Sequence, residues 1–341
     1  MNGNDILHGI DRRIAGVLLA HPRASAATVA TIAGTSPPTA SRHIAALTAR
    51  GTITVAAVVD REWANAGFTV WLRVRCEPGA SRTVAQKIAE WPESGYLAVT
   101  GGEVDCVAQV AVRTSAQLLD ISARQLRELP GVRSGEMLRV IRRFATPHGW
   151  TAGILHTREL TLARADRWDA WTEAGGTRQI TTDAVDEAIV TALAHDGRLS
   201  WRELGARAGV SSATASRRTE ALMRCGPLRL RTVVDPAQVG RPVVALVWLR
   251  VLPSRLEVAG RTLADHPDVL SIAATTGRHN LCGEIAVADD DTLYRFLTHD
   301  VGAIPGVAEV EVTDGLQVLK RAARVFPTAG GTGFEPVTPR G

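Results

Sequence analysis

Sliding the chain against itself gives a match at an offset of 175 residues, and this duplication limits the possible folds more than any other feature. Asp11 falls on Asp186, Ile14 on Ile189, Arg23 on Arg198 and Ser25 on Ser200. Ala33-Gly34-x-Ser36 falls on Ala208-Gly209-x-Ser211, and Thr39-Ala40-Ser41-Arg42 on Thr214-Ala215-Ser216-Arg217. After a slip of two residues Trp71-Leu72-Arg73-Val74 pairs with Trp248-Leu249-Arg250-Val251. The first offset returns at Pro130-Gly131-Val132 and Pro305-Gly306-Val307. Such a chain folds as two copies of one unit of roughly 140 residues, each with its own core.

Each copy opens with three short helices. In the second, Val185, Ile189 and Leu193 form an apolar stripe, Ser200 is a cap, and Gly209 breaks the chain before a third helix capped by Ser211 or Ser212. On that helix Ala215, Thr219 and Leu222 face inward, which turns Arg217 outward with Arg218 on the flank. A strand follows in which Leu228 and Leu230 alternate with Arg229 and Arg231, read as a wing with a basic outer face. Residues 211–232 hold five arginines and one acid, Glu220. Small N-terminal residues and an outward arginine suit the DNA major groove, where Arg pairs with guanine and hydroxyls reach phosphates or bases. The candidate contacts are Ser211, Ser212, Thr214, Ser216, Arg217, Arg218, Arg229 and Arg231. The first copy offers Ser36, Thr39, Ser41, Arg42 and His43, and its wing carries no arginine. The second module is therefore expected to be the stronger anchor.

Residues 68–144 read as strand, helix, strand, strand, helix, strand, and the second copy repeats this order. The expected fold class is α+β: two tandem winged helix-turn-helix modules, each followed by a ferredoxin-like βαββαβ domain. The expected boundaries are 6–62 and 67–144, a linker at 145–182, then 183–237 and 242–322, with a disordered Gly/Pro/Thr-rich tail at 327–341. Trp168 and Trp171 in the linker are spaced to share one helical face. The uncovered sheet face is expected to be Val70, Leu72 and Val74 in one copy and Val247, Leu249 and Val251 in the other.

Other features narrow the function. The net charge is +4, and of the 39 basic residues only Lys87 and Lys320 are lysines. Cys76, Cys106, Cys225 and Cys282 form no CxxC pair, so they are expected as core fillers rather than metal ligands. No run of about 18 apolar residues occurs and no signal segment opens the chain, so a cytoplasmic protein without a membrane partner is expected. No catalytic constellation, metal site or cofactor motif is present.

In this order the motifs resemble the Lrp/AsnC family of "feast/famine" regulators. The resemblance rests on Asp186…Asp196-Gly197-Arg198, Gly209-Val210-Ser211…Arg218…Leu222…Gly226 and Val234-Asp235-Pro236…Gly240. Thr-Gly before the third sheet strand and Pro-Gly-Val before the last complete it. It covers residues 6–144 and 183–320. It implies a transcription regulator that binds double-stranded DNA through its helices and pairs through its sheet domains. It also implies sensing of an amino acid or related metabolite near the Thr-Gly loop. Carried over, that loop is Thr100-Gly101-Gly102-Glu103-Val104-Asp105 in one copy and Thr276-Gly277-Arg278-His279-Asn280 in the other, the first one residue longer. The implied effector residues are Gly101, Asp105, Gly277 and Asn280.

Sirohaem decarboxylases share this architecture and provide the rival enzyme reading, but the segments matching their histidine-rich stretch, 60–67 and 235–240, hold no histidine. A metabolite-binding assembly protein is a third reading. Because one chain supplies two modules and two sheet domains, an internal pseudo-dimer is expected, with homo-oligomers built from it and an asymmetric operator.

Overall fold

The computed structural model describes residues 6–59, 67–164, 183–224, 228–321 and 324–325. Trp168, Trp171, Cys225 and the 327–341 tail lie outside them. The first copy contains α1 (Gly9–Ala20), α2 (Ala26–Ala33), α3 (Pro37–Ala49), β1 (Ile53–Val59), β2 (Phe68–Cys76), α4 (Ser81–Ala89), β3 (Ser94–Gly101) and β4 (Cys106–Val112). Then α5 (Ser115–Asp120) runs through a π turn into α6 (Leu126–Glu128), followed by β5 (Val132–Ala145). Next come α7 (Thr157–Arg164), α8 (Ala184–His195), α9 (Trp201–Ala208), α10 (Ser212–Arg224), β6 (Leu228–Val234) and β7 (Val243–Val251). The chain ends in α11 (Leu256–Ala264), β8 (Val269–Thr275), β9 (Leu281–Val287), α12 (Asp290–Arg295), β10 (Val307–Arg321) and β11 (Arg324–Val325). None of the described helices is long and apolar enough to cross a membrane.

The chain divides into two compact units, and each draws on both copies. The first joins residues 1–64 to 147–242 and holds both three-helix modules. Local chemistry sets their turns: Gly34 and Gly209 end α2 and α9 at φ 72° and 68°, a conformation in which a Cβ is strained. Ser36 then caps α3 by accepting from the Thr39 N–H, and Ser211 caps α10 from the Thr214 N–H.

The strands after the helices do not stand out as wings. β1 and β6 pair antiparallel, Ile53 against Val234 through to Val59 against Leu228, into a ribbon shared by the two modules. Ala57 packs into the core of the second module among Ile189, Leu193, Leu204 and Leu222. From β6, the Thr232 hydroxyl donates to the Leu18 carbonyl of α1. The segment expected as linker is packed structure in part: Trp150, Ala152, Leu155 and Ala163 are buried. Ile154 and Leu155 close over Gly16, where a Cβ would meet Ile154 Cγ2 at 2.7 Å. That extra cover explains why α1 is buried all round from Ile14 to Ala20.

The second unit joins residues 65–146 to 243–341. Each copy gives four strands in the expected ferredoxin-like order, β3-β4-β2-β5 and β8-β9-β7-β10. Two seams join them, β5 to β8 and β10 to β3, so eight antiparallel strands close into a barrel with β11 on the edge of β10. Closure leaves no free edge among the eight.

The barrel corrects the expected open face. Val70, Leu72 and Val74 pack under α4 with Val84 and Ile88, and Val247, Leu249 and Val251 pack with Ala259 and Leu263 of α11. The inward face is the alternate set, with Trp71, Tyr96, Leu138, Leu246 and Trp248 at its centre. Trp71 meets Trp248 edge to face at 5.7 Å and Tyr96 at 5.8 Å. Burying each indole contributes about 4–5 kcal/mol of apolar transfer before entropy is counted. Cys76, Cys106 and Cys282 are buried.

Candidate nucleic-acid interface and effector site

The two third helices present the same face. Arg42 on α3 and Arg217 on α10 are exposed at equivalent positions, and neither makes a hydrogen bond or ion pair to another described residue. Ser41 and Ser212 are also exposed, whereas Ser216 is half-buried and donates to Glu220 at 3.3 Å. Thr39 and Thr214 bond through their hydroxyls to the capping serines. These serines, Ser36 and Ser211, hold the N-termini in place.

Flanking positions have another role. Arg218 is held by Asp183 at 2.7 Å and Asp186 at 3.0 Å, and these carboxylates raise its pKa above the ordinary arginine value. Its counterpart His43 sits 2.6 Å from Asp11, the counterpart of Asp186. Both side chains tie the recognition helix to the first helix of its own module. Arg231 is 8% exposed inside the ribbon, and Arg229 is half-buried beside it. The strand alternation had placed both outward; the ribbon packs on the core of the second module and on α1 of the first, which buries Arg231 away from any phosphate and leaves the wing-based ranking of the modules without support.

Sequence reasoning aligned Arg23 with Arg198 without giving them a role. Arg23 donates to the Gly197 and Leu199 carbonyls at 2.7 and 2.8 Å. Arg198 donates to the Pro22 and Ala24 carbonyls at 2.5 and 3.1 Å. The contacts reciprocate residue for residue, so the two modules face each other across a pseudo-two-fold axis.

In the barrel unit the two Thr-Gly loops are equal in length, contrary to the sequence alignment. The Thr100 hydroxyl donates to the Val104 carbonyl, and Thr275 does the same to His279. Thr275, not Thr276, thus matches Thr100, and Gly277 (φ 97°) matches Gly102 (φ 127°) rather than Gly101. Asp105 accepts from the Cys76 N–H at 2.7 Å and from Ser81. Asn280 accepts from the Val251 N–H at 2.8 Å and its amide donates back to the Val251 carbonyl. Both side chains fix the loop to the adjoining strand, and the Asp-to-Asn difference is explained by that second bond. Among the described residues, no group of three His, Cys, Asp or Glu side chains could hold a metal ion.

Paired helix-turn-helix modules and a closed α+β barrel place the chain in the class of tandem helix-turn-helix proteins with a ferredoxin-like second domain. The Lrp/AsnC ligand binding domain model matches residues 69–148 and 244–325. The AsnC-type helix-turn-helix domain matches 183–223, and a winged helix-turn-helix DNA-binding model matches 7–54. An uncharacterized HTH-type transcriptional regulator of Pyrococcus abyssi is 30% identical over 151 residues, 44% of this chain and 96% of its own length. The HTH-type transcriptional regulator LrpA1 of Halobacterium salinarum is 30% identical over 129 residues, 38% of this chain and 91% of its own. The chain belongs to the Lrp/AsnC family of transcription regulators, in a tandem-duplicated form. Among solved structures, the siroheme decarboxylase NirDL superposes with a TM-score of 0.59 at 14% identity, covering 92% of this chain and 93% of its own; this likeness is one of fold.

Proposed function

We propose that the chain regulates transcription as a single-chain pseudo-dimer: α3 and α10 each enter a major groove, and a small metabolite held by the barrel unit modulates binding. The observation that carries the reading is the pair Arg42 and Arg217, exposed, unengaged and equivalent on the two recognition helices. An outward arginine near the start of such a helix reaches the O6 and N7 of guanine. Arg42→Ala or Arg217→Ala is expected to cost roughly 1–3 kcal/mol against the preferred operator and to relax sequence preference at one half-site. Quantitative footprinting on the promoter next to the gene checks this. Unchanged affinity and unchanged sequence preference in both variants would overturn it.

A further inference from the structure

Two thiols meet under α4 in the first copy. Cys76 ends β2 and Cys106 begins β4, and their Sγ atoms lie 4.0 Å apart within the apolar cluster that holds Val74, Val84 and Ala85. Cys106 is fully buried, and its thiol also reaches the Ser81 carbonyl at 3.2 Å. Cys76 is 6% exposed and stands between the exposed residues Arg75 and Glu77. The second copy has aliphatic side chains at both places. Cys76 pairs with Val132 and Val251 with Val307, and the same offset of 175 residues sets Leu281 at the Cys106 position.

The loops beside these positions differ to match. Asn280 accepts from the Val251 N–H and donates to the Val251 carbonyl, so loop and strand are fastened in both directions. Asp105 accepts from the Cys76 N–H, but a carboxylate has no proton to give the carbonyl, and its other oxygen takes the Ser81 hydroxyl. The first copy thus has one bond fewer between loop and strand and, at the same place, a thiol pair. A metal ion is a poorer reading of that pair. Both Asp105 oxygens are engaged, and two thiolates beside Asp105 would crowd negative charge into an apolar core, whereas a disulfide is uncharged.

We propose that Cys76 and Cys106 form a reversible disulfide, closed by hydrogen peroxide, that latches the 100–105 loop to the end of β2 in the first copy alone. The Cys76 sulfur attacks the peroxide, the O–O bond breaks and one water leaves, giving a sulfenic acid. The Cys106 sulfur then attacks Cys76, the S–O bond breaks and a second water leaves with the remaining thiol proton. The two thiols together lose two electrons, which reduce the peroxide, and a dithiol reopens the bond by exchange. The sulfurs need to approach by about 2 Å to reach bonding distance. Cys76 reacts first because it lies nearer the surface. Burial raises both thiols above the ordinary cysteine range, Cys106 further than Cys76, so the latch closes more slowly than a free cysteine oxidises.

The test is exposure of the full chain to hydrogen peroxide, followed by a count of free thiols after unfolding and by peptide mapping with mass spectrometry. Two of the four thiols are expected to be lost, in a peptide pair that joins Cys76 to Cys106 and lacks two hydrogens, and dithiothreitol should restore both. Hydrogen exchange of the 100–106 amides should slow about tenfold on oxidation, while that of 275–281 stays unchanged. Cys76→Val and Cys106→Leu import the core residues of the other copy, so both should fold. Each should abolish the link and the slowing, whereas Cys282→Val, which imports Val107, should keep both. Four intact thiols after peroxide, a link through Cys225 or Cys282, sulfinic acid in place of the link, or a link that leaves loop exchange as it was would overturn the latch.

Discussion

Arg23 and Arg198 hold the same place in the two copies, and each donates to two backbone carbonyls flanking the other. Burial and the neighbouring Arg198 push the Arg23 guanidinium down to about 10, so it stays charged at neutral pH. It also lies 4.0 Å over the Trp201 ring, a contact without a counterpart because Ala26 occupies the matching position. Arg23→Ala or Arg198→Ala leaves two carbonyls unpaired and is expected to cost about 1.5–3 kcal/mol of stability. Lysine should not restore it, since a single ammonium does not match the fork that bridges two carbonyls. Urea denaturation of the four variants decides the matter; midpoints like that of the parent would show that the clamp contributes nothing.

The buried ribbon separates stability from DNA affinity at Arg231. With 8% exposure this side chain has no route to a phosphate. Arg231→Ala is expected to lower the melting temperature while leaving the salt dependence of DNA binding unchanged, because no phosphate contact is lost. A shallower slope of log affinity against log salt would return the arginine to the interface.

The three-helix modules were legible because their signals are local: a capping serine, a left-handed glycine and an apolar stripe within one module. The ribbon was not. Leu228 and Leu230 alternating with Arg229 and Arg231 is the pattern of a half-exposed wing, and nothing within β6 says that it will pair with a strand some 175 residues earlier into a ribbon buried on both faces. The sheet order was readable, but the phase of β2 was misread. Val70, Leu72 and Val74 are as apolar as a buried face should be, while the true interior carries Arg73, stacked 4.5 Å over the Trp248 ring. A charged residue turned into a barrel breaks the inside-outside rule on which strand reading depends. The effector loops failed for a smaller reason: Thr275 and Thr276 are consecutive ahead of Gly277, and only the hydrogen bond to the His279 carbonyl distinguishes them.

Asp183 should contribute to the loosening of the second module in acid. The Arg218 guanidinium and then the backbone N–H groups at the start of α8 hold its carboxyl below the ordinary aspartate value of 3.8. A native pKa below the unfolded one gives stability that is complete above the unfolded value and lost as pH falls through the native value. Asp183→Asn retains a side chain that can cap α8 but cannot pair with Arg218. Its denaturation midpoint should fall less steeply than the parent's between about pH 5 and pH 2. Parallel curves would remove Asp183 from the acid response.

The two recognition helices differ at their first turn. α3 begins Pro37-Pro38, so its first two positions have no N–H, whereas α10 begins Ser212-Ala213 and keeps both donors. In each helix the next N–H is already taken by the capping serine. Free N–H groups at a helix start, together with the helix dipole, grip a phosphate. The second module is therefore expected to anchor on the backbone where the first cannot, a source of asymmetry independent of the wings. The double variant Pro37→Ser, Pro38→Ala should tighten DNA binding about tenfold, equivalent to ~1.4 kcal/mol for two recovered hydrogen bonds. The salt slope should stay where it was, since no cation has been added. The converse change, Ser212→Pro, places proline where a helix tolerates it and should weaken binding without unfolding the module. Titrations of both variants at two salt concentrations provide the check. If neither changes the affinity, the helix N-termini do not face phosphate.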